Sequence, residues 1–222
     1  MNKAATALEL LAYQYGTPHP DPITTHQNPL HHLIEVIIAQ NTSRVNRNKA
    51  LTTLNQRFPD PALIAEASLI DVIDAIYVAG LANIKAPRLQ ALVVAALEAT
   101  DGTADLSFLY DLPTDEALQF LSKLPGIGAL SASLVLLFTI GRPVLPVNTG
   151  LHRIAQRVGM IPPKVGPERS QWLLQAALPS EAYYPFHLNM VRHARETCHA
   201  ARPACESCCL APICNWVHGG AA

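Results

Sequence analysis

Lys123-Leu124-Pro125-Gly126-Ile127-Gly128-Ala129-Leu130 stands between two stretches whose apolar residues recur at helical spacing, 114–122 and 130–140. Two glycines around one apolar residue let the backbone turn tightly and leave N–H groups facing outward. The following helix adds the partial positive charge of its N-terminus at the same place. Such a backbone can hold a nucleic-acid phosphate without reading any base. Taken alone, the same string also serves as a plain connector.

The helical spacing continues on both sides of the hairpin. A helix opens at Leu33-Ile34-Glu35-Val36-Ile37-Ile38-Ala39, after the start signal Asn28-Pro29. Further stretches cover about 50–58, 69–77, 86–99, 151–158, 168–177 and 186–198, and the eighteen prolines sit mainly at the junctions. No β alternation and no internal repeat is present. The fold class read from the sequence is all-α. Composition turns basic and proline-rich at Gly141-Arg142-Pro143, a domain boundary, and Pro18-His19-Pro20-Asp21-Pro22 reads as a rigid connector.

Of the 222 residues, 50% are hydrophobic and 15% charged, which excludes a disordered chain and a solvated coiled coil. No apolar run approaches about 20 residues, and Met1-Asn2-Lys3-Ala4 lacks the apolar stretch of a signal peptide. The expectation is a cytoplasmic protein, nucleoid-associated if bacterial, with no membrane partner. The net charge of −1 hides an asymmetry. Arg142, Arg153, Arg157, Lys164, Arg169, Arg192, Arg195 and Arg202 outnumber Glu168, Glu181, Glu196 and Glu206 in the C-terminal third. A basic third on a neutral whole fits a surface directed at a polyanion, and equally a solvated face.

All five cysteines fall between 198 and 214. Cys198, Cys205, Cys208 and Cys214 give C-x6-C-x2-C-x5-C, and one short loop bearing four thiolates can wrap a single compact centre. Spacing alone leaves three readings open: an iron–sulfur cluster, a zinc site with only one C-x2-C pair, or disulfides with an odd thiol remaining. Cys209 reads as a spare thiol beside a ligand. A structural centre there would fix the loop that carries Arg192, Arg195 and Arg202.

Together these residues resemble the endonuclease III group of helix-hairpin-helix DNA glycosylases. Leu124-Pro125-Gly126-Ile127-Gly128 matches the family hairpin, and the cysteine spacing, with Arg202-Pro203 before Cys205, matches its 4Fe–4S loop. Gln40-Asn41-Thr42 and Gly80-Leu81-Ala82-Asn83-Ile84-Lys85-Ala86 are similar to its two lesion-facing loops. Val147-Asn148-Thr149-Gly150-Leu151-His152-Arg153 is similar to its catalytic segment. The resemblance runs from about residue 28 to the end. It implies two helical lobes, a six-helix barrel over 30–142 that includes the hairpin, and a cluster lobe from 1–29 plus 143–222. Double-stranded DNA would lie in the cleft between them, and the protein would act as a monomer. It implies a 4Fe–4S cluster on Cys198, Cys205, Cys208 and Cys214. Gln40, Leu81, Lys123, Gly126, Ile127, Gly128, Arg153, Arg192, Arg195 and Arg202 are the expected DNA-facing residues. The family extrudes a damaged base and cleaves its glycosidic bond.

The departures from the family fall on the chemistry. Its catalytic aspartate falls on Asn148, whose amide can neither take a proton nor offset positive charge on the sugar. Asparagine still caps a helix, and one begins near Leu151. The lysine that forms a Schiff base in bifunctional members falls on Leu130, which has no amine. Ala129 stands where a basic residue or proline is usual, and Gly150 where the family segment has histidine. Glu35 lies one residue, about 100° of helix rotation, from a helix glutamate of adenine-specific relatives. It reads as a surface or capping carboxylate, and His31, His32, His187 and His193 as packing or surface residues. The expected protein binds DNA, at lesions or distorted sites, with little or no canonical glycosylase activity and no lyase activity at that site. The alternative is a monofunctional glycosylase with a different residue set.

Overall fold

The computed structural model describes residues 2–20 and 27–219, and among them all regular structure is helical. The chain opens with α1 (Lys3–Tyr15), capped by Asn2, whose Oδ1 accepts from the Ala4 and Ala5 amides. Then follow α2 (Pro29–Ala39), α3 (Arg44–Arg57), α4 (Ala62–Glu66), α5 (Leu69–Ile76) and a 3-10 turn, Tyr77–Ala79. α6 (Ala82–Ala99), α7 (Thr114–Lys123) and α8 (Ala129–Val135) come next, and α8 runs on into a π-helical turn, Leu136–Ile140. α9 (Thr149–Val158), α10 (Pro167–Ala177) and α11 (Tyr183–Glu196) precede two short turns, Cys205–Ser207 and Ala211–Ile213.

These elements form two compact units, Ile23–Ile140 and Met1–Pro22 with Gly141–Ala222. In the first, α2 is the central helix and packs against α3, α6 and α8. Leu33, Ile37 and Ile38 of α2 are fully buried with Leu54, Leu89, Leu92 and Val135. Each such side chain contributes roughly 1.5–3 kcal/mol by leaving water. Asn28 starts α2: its Oδ1 accepts from Leu30 N at 3.0 Å and Leu106 N at 3.1 Å, and Pro29 follows at the first helical position. In the second unit α11 packs on α1 and α9, burying Leu11, Leu151, Ile154, Phe186 and Met190. The Lys3 ammonium donates to Val158 O at 2.9 Å and Ile213 O at 2.7 Å, joining the first helix to the end of α9 and to the cysteine loop.

Two helices lie outside the stretches read from periodicity. α1 buries only Ala4, Ala7 and Leu11, a narrow stripe, and α4 has one fully buried residue, Ile64. α3 begins at Arg44, not near residue 50, because its first turns (Arg44-Val45-Asn46-Arg47-Asn48-Lys49) are polar and held by the Ser43 cap. Of the proline-rich connector, Asp21 and Pro22 lie outside the described residues.

Candidate nucleic-acid interface and cysteine centre

Ile127 N donates to Leu124 O at 3.1 Å, closing a four-residue turn around Pro125 and Gly126. Gly126 has φ +76°, the sign that a type II turn requires after a proline. A Cβ there would lie 3.5 Å from Arg88 Cβ and Ile37 Cδ1, an ordinary contact, so conformation rather than space selects glycine. Leu124 and Ile127 are buried, while Lys123, Gly126 and Gly128 face solvent. Ile127 is thus the anchor of the turn. Its side chain is inside and its N–H is engaged by Leu124 O, so it does not present the outward N–H expected of it. Leu130, one residue into α8, is 37% exposed.

The two tips read as lesion-facing both leave ordinary backbone conformation. Gln40 ends α2, and the next residue, Asn41, has φ +54°. Leu81, 53% exposed, has the same φ at the start of α6. Arg88 of α6 is a residue that the sequence did not single out. Its Nη1 donates to Gln40 Oε1 at 3.4 Å, and its aliphatic stem lies against the Gly126 turn. Arg88 therefore brings the hairpin and the Gln40 tip together. Lys85 is buried beneath these tips, at 2% exposure, and burial pushes its amine below the ordinary lysine range. Glu35 pairs with Arg47 at 3.2 Å. His32 Nδ1 bonds the Thr139 hydroxyl at 2.5 Å, and burial lowers its pKa, so Glu35 acts as an ion-pair partner and His32 as a packing residue.

In the second unit Asn148 is the N-cap of α9, with Oδ1 accepting from Leu151 N at 2.8 Å. Gly150 answers a packing need. A Cβ built there would lie 2.8 Å from Ala194 Cβ of α11 and 3.3 Å from Asn148 Oδ1. Arg153, expected to face DNA, is turned inward instead: its Nη2 donates to Cys198 O at 2.7 Å and Ala194 O at 3.4 Å, and its Nε is buried. It fastens the end of α11 to α9. Arg192 pairs with Glu196 at 2.9 Å and stacks over Tyr15, while Arg195 and Arg202 are exposed.

His187 holds the segment before Asn148, with Nδ1–H donating to Pro146 O at 2.9 Å. Burial brings its pKa down from 6.5 to about 4. The native protein therefore stays neutral at His187 while the unfolded chain takes up a proton below about pH 6.5. Stability falls as pH drops from about 6.5 to about 4, by about 3 kcal/mol in all. In His187→Asn, which keeps a donor toward Pro146 O, urea midpoints measured across this range fall less steeply. An unchanged slope refutes the assignment.

Cys198, Cys205, Cys208 and Cys214 line one cavity, with Ile154, Val158 and Leu210 among its apolar walls. Cys209 does not line it, and all five thiols are free. Arg157, which the sequence counted only as charge, organises the loop. It approaches Cys198 Sγ at 3.4 Å, donates to His199 O and Ala200 O at 2.7 Å each, and stacks on Trp216. His193 Nε2 lies 3.4 Å from Cys208 Sγ, and its Nδ1 shares a hydrogen bond of 2.9 Å with the Tyr15 hydroxyl. Among the described residues no group of three His, Cys, Asp or Glu side chains is close enough to hold a single metal ion.

A family model for the HhH-GPD superfamily base excision DNA repair proteins matches residues 34–180. The chain belongs to this superfamily. Within it, endonuclease III of Escherichia coli strain K12 is 30% identical over 216 residues, 97% of each chain. Endonuclease III of Thermotoga maritima is 30% identical over 189 residues, 85% of this chain and 84% of its own. These relatives set the chain in the endonuclease III group of base excision repair glycosylases. A non-covalent endonuclease III–DNA complex matches with a TM-score of 0.80 and 25% identity, over 99% of this chain and 98% of that one. A thermostable thymine-DNA glycosylase shares the HhH-GPD fold at a TM-score of 0.76 and 18% identity, over 98% and 97%. Among the described residues no helix is long and apolar enough to cross a membrane.

Proposed function

We propose that this member of the endonuclease III group is a 4Fe–4S protein that binds duplex DNA, at damaged or distorted sites, without its relatives' lyase chemistry and with little of their base release. The observation that carries the reading is the pairing of an intact grip with inert side chains. The Pro125-Gly126 turn, Lys123 and Arg88 present an exposed anion-holding surface, while Asn148 is a neutral amide engaged as a helix cap and Leu130 is aliphatic. Asn148 keeps the architectural duty of the position and drops its charge, and no amine stands at 130 to attack a sugar carbon. Arg195 and Arg202 add exposed positive charge beside the cysteine loop. We assign Gln40 and Leu81 to the duplex interior, and the chain to monomeric action in the compartment that holds the DNA.

The grouping of four cysteines around one space supports the cluster. Four free thiols and apolar walls surround one space, Arg157 supplies a donor to Cys198 Sγ, and the fifth thiol stands apart. Bound there, a 4Fe–4S cluster would cross-link the 198–214 loop through iron–thiolate bonds. Arg157, Arg153 and Lys3 already fasten that loop and its neighbours to α9 and α1 through backbone carbonyls, so the basic residues beside it keep a fixed geometry.

Protein in excess over duplexes carrying oxidised, deaminated or alkylated bases tests this function. Binding is expected to weaken with salt, roughly 40-fold for a fourfold rise in salt if three phosphates are neutralised. No free base or nicked strand is expected to accumulate above the protein-free rate. Salt-independent binding overturns the polyanion surface, and base release by the unaltered chain overturns the inert site.

A further inference from the structure

We propose that Lys85 is a positioning residue: its buried amine ties the Gln40 and Leu81 tips into one pre-shaped unit that distinguishes distorted from intact duplex. The inference rests on the DNA-binding reading above. Lys85 Nζ donates to Ile38 O at 2.9 Å, Ala79 O at 3.1 Å and the Thr42 hydroxyl at 2.5 Å. These acceptors take all three N–H bonds of an ammonium. The Thr42 hydroxyl in turn donates to Ala79 O at 2.7 Å, so the two loops meet in a closed node.

The place of each acceptor explains how a cation is tolerated at 2% exposure. Ile38 lies in the last turn of α2 and Ala79 ends the 3-10 turn, so both carbonyls belong to helix ends that carry partial negative charge. A buried charge is a poor device for stability, because an apolar side chain of similar length fills the space without giving up hydration. What the amine adds is direction. Its acceptors come from the two segments that end in Gln40-Asn41 and Gly80-Leu81, and just beyond them Asn41 and Leu81 both sit at φ +54°. Non-glycine residues hold that conformation only where their surroundings over-determine it. Pre-shaped tips bind with less loss of conformational freedom than tips that must order on contact.

Lys85→Met removes the node and Thr42→Val removes its hydroxyl link, each keeping side-chain size. Amide exchange in the free proteins is expected to speed up by about tenfold or more at 40–43 and 80–84, with the α6 interior unchanged. The preference for a duplex containing a tetrahydrofuran abasic analogue over the matched duplex is expected to fall about tenfold in both variants. A role confined to stability lowers both affinities together, leaves the ratio alone and overturns the proposal. Exchange that stays slow at the tips in both variants overturns it as well. If the unaltered protein binds neither duplex, the functional reading fails, and tip exchange still decides whether Lys85 holds them. If Lys85→Met does not fold, Thr42→Val carries the same two readouts.

Discussion

Asn148→Asp releases a damaged base about 100–1000 times faster than the unaltered chain, and adding Leu130→Lys brings strand cleavage at the same lesion. The first change restores a carboxylate that can offset oxocarbenium-like charge on the sugar. It disturbs little else, because aspartate caps a helix as well as asparagine and can accept the same bond from Leu151 N. The melting temperature of the single variant is therefore expected to stay close to the parent's, which separates a catalytic gain from a change in folding. At Leu130 the side chain is 37% exposed, so a lysine can enter without disturbing the core. Trapping with borohydride reads the Schiff base directly, as a protein–DNA adduct formed by the double variant and not by Asn148→Asp alone. If neither variant gains base release on any lesion of the panel, the pocket has drifted beyond two residues and the grip-without-chemistry reading needs another cause.

Replacing any one of Cys198, Cys205, Cys208 and Cys214 by serine removes iron and visible absorbance, whereas Cys209→Ser keeps both. The contrast follows from the cavity that the four thiols share and Cys209 does not. Without the cluster, the 198–214 loop keeps its backbone bonds, the Arg157, Arg153 and Lys3 clamps and a few buried side chains such as Leu210 and Ile213. Loss of a resident metal centre removes folding free energy on the scale of a domain's net stability, about 5–15 kcal/mol. The expected drop in melting temperature is therefore roughly 10 °C or more. Iron per chain, the visible spectrum and a thermal melt check all five variants. Full iron retention in Cys205→Ser or Cys208→Ser refutes the ligand set.

Much of the fold was legible because burial and periodicity coincide in this chain. α5, α7 and α10 begin within about a residue of where apolar spacing places them, and Asn28-Pro29 marks the start of α2. The polar first turns of α3 were not legible, since a helix held by a cap and by its neighbours need not show an apolar stripe there. At the candidate site, Pro125-Gly126 could be read because a positive φ leaves a mark in residue type. Arg153 could not. An arginine aimed at phosphate and one aimed at Cys198 O are the same letter, and only packing between α9 and α11 decides between them. Lys85 stands within a loop motif, but nothing in the string says that its amine lies inside. Arg88 belongs to the same class, because its contact with Gln40 joins residues 48 positions apart.

The close approach at Gly150 limits what residue 150 can become. With 2.8 Å separating a would-be Cβ from Ala194, a histidine does not fit at this position by one substitution. α11 has to give way first, or residue 194 has to lose its methyl. A carboxylate at 148 is thus one codon change away and meets no such obstacle, whereas a side chain at 150 needs a second, coordinated change on α11.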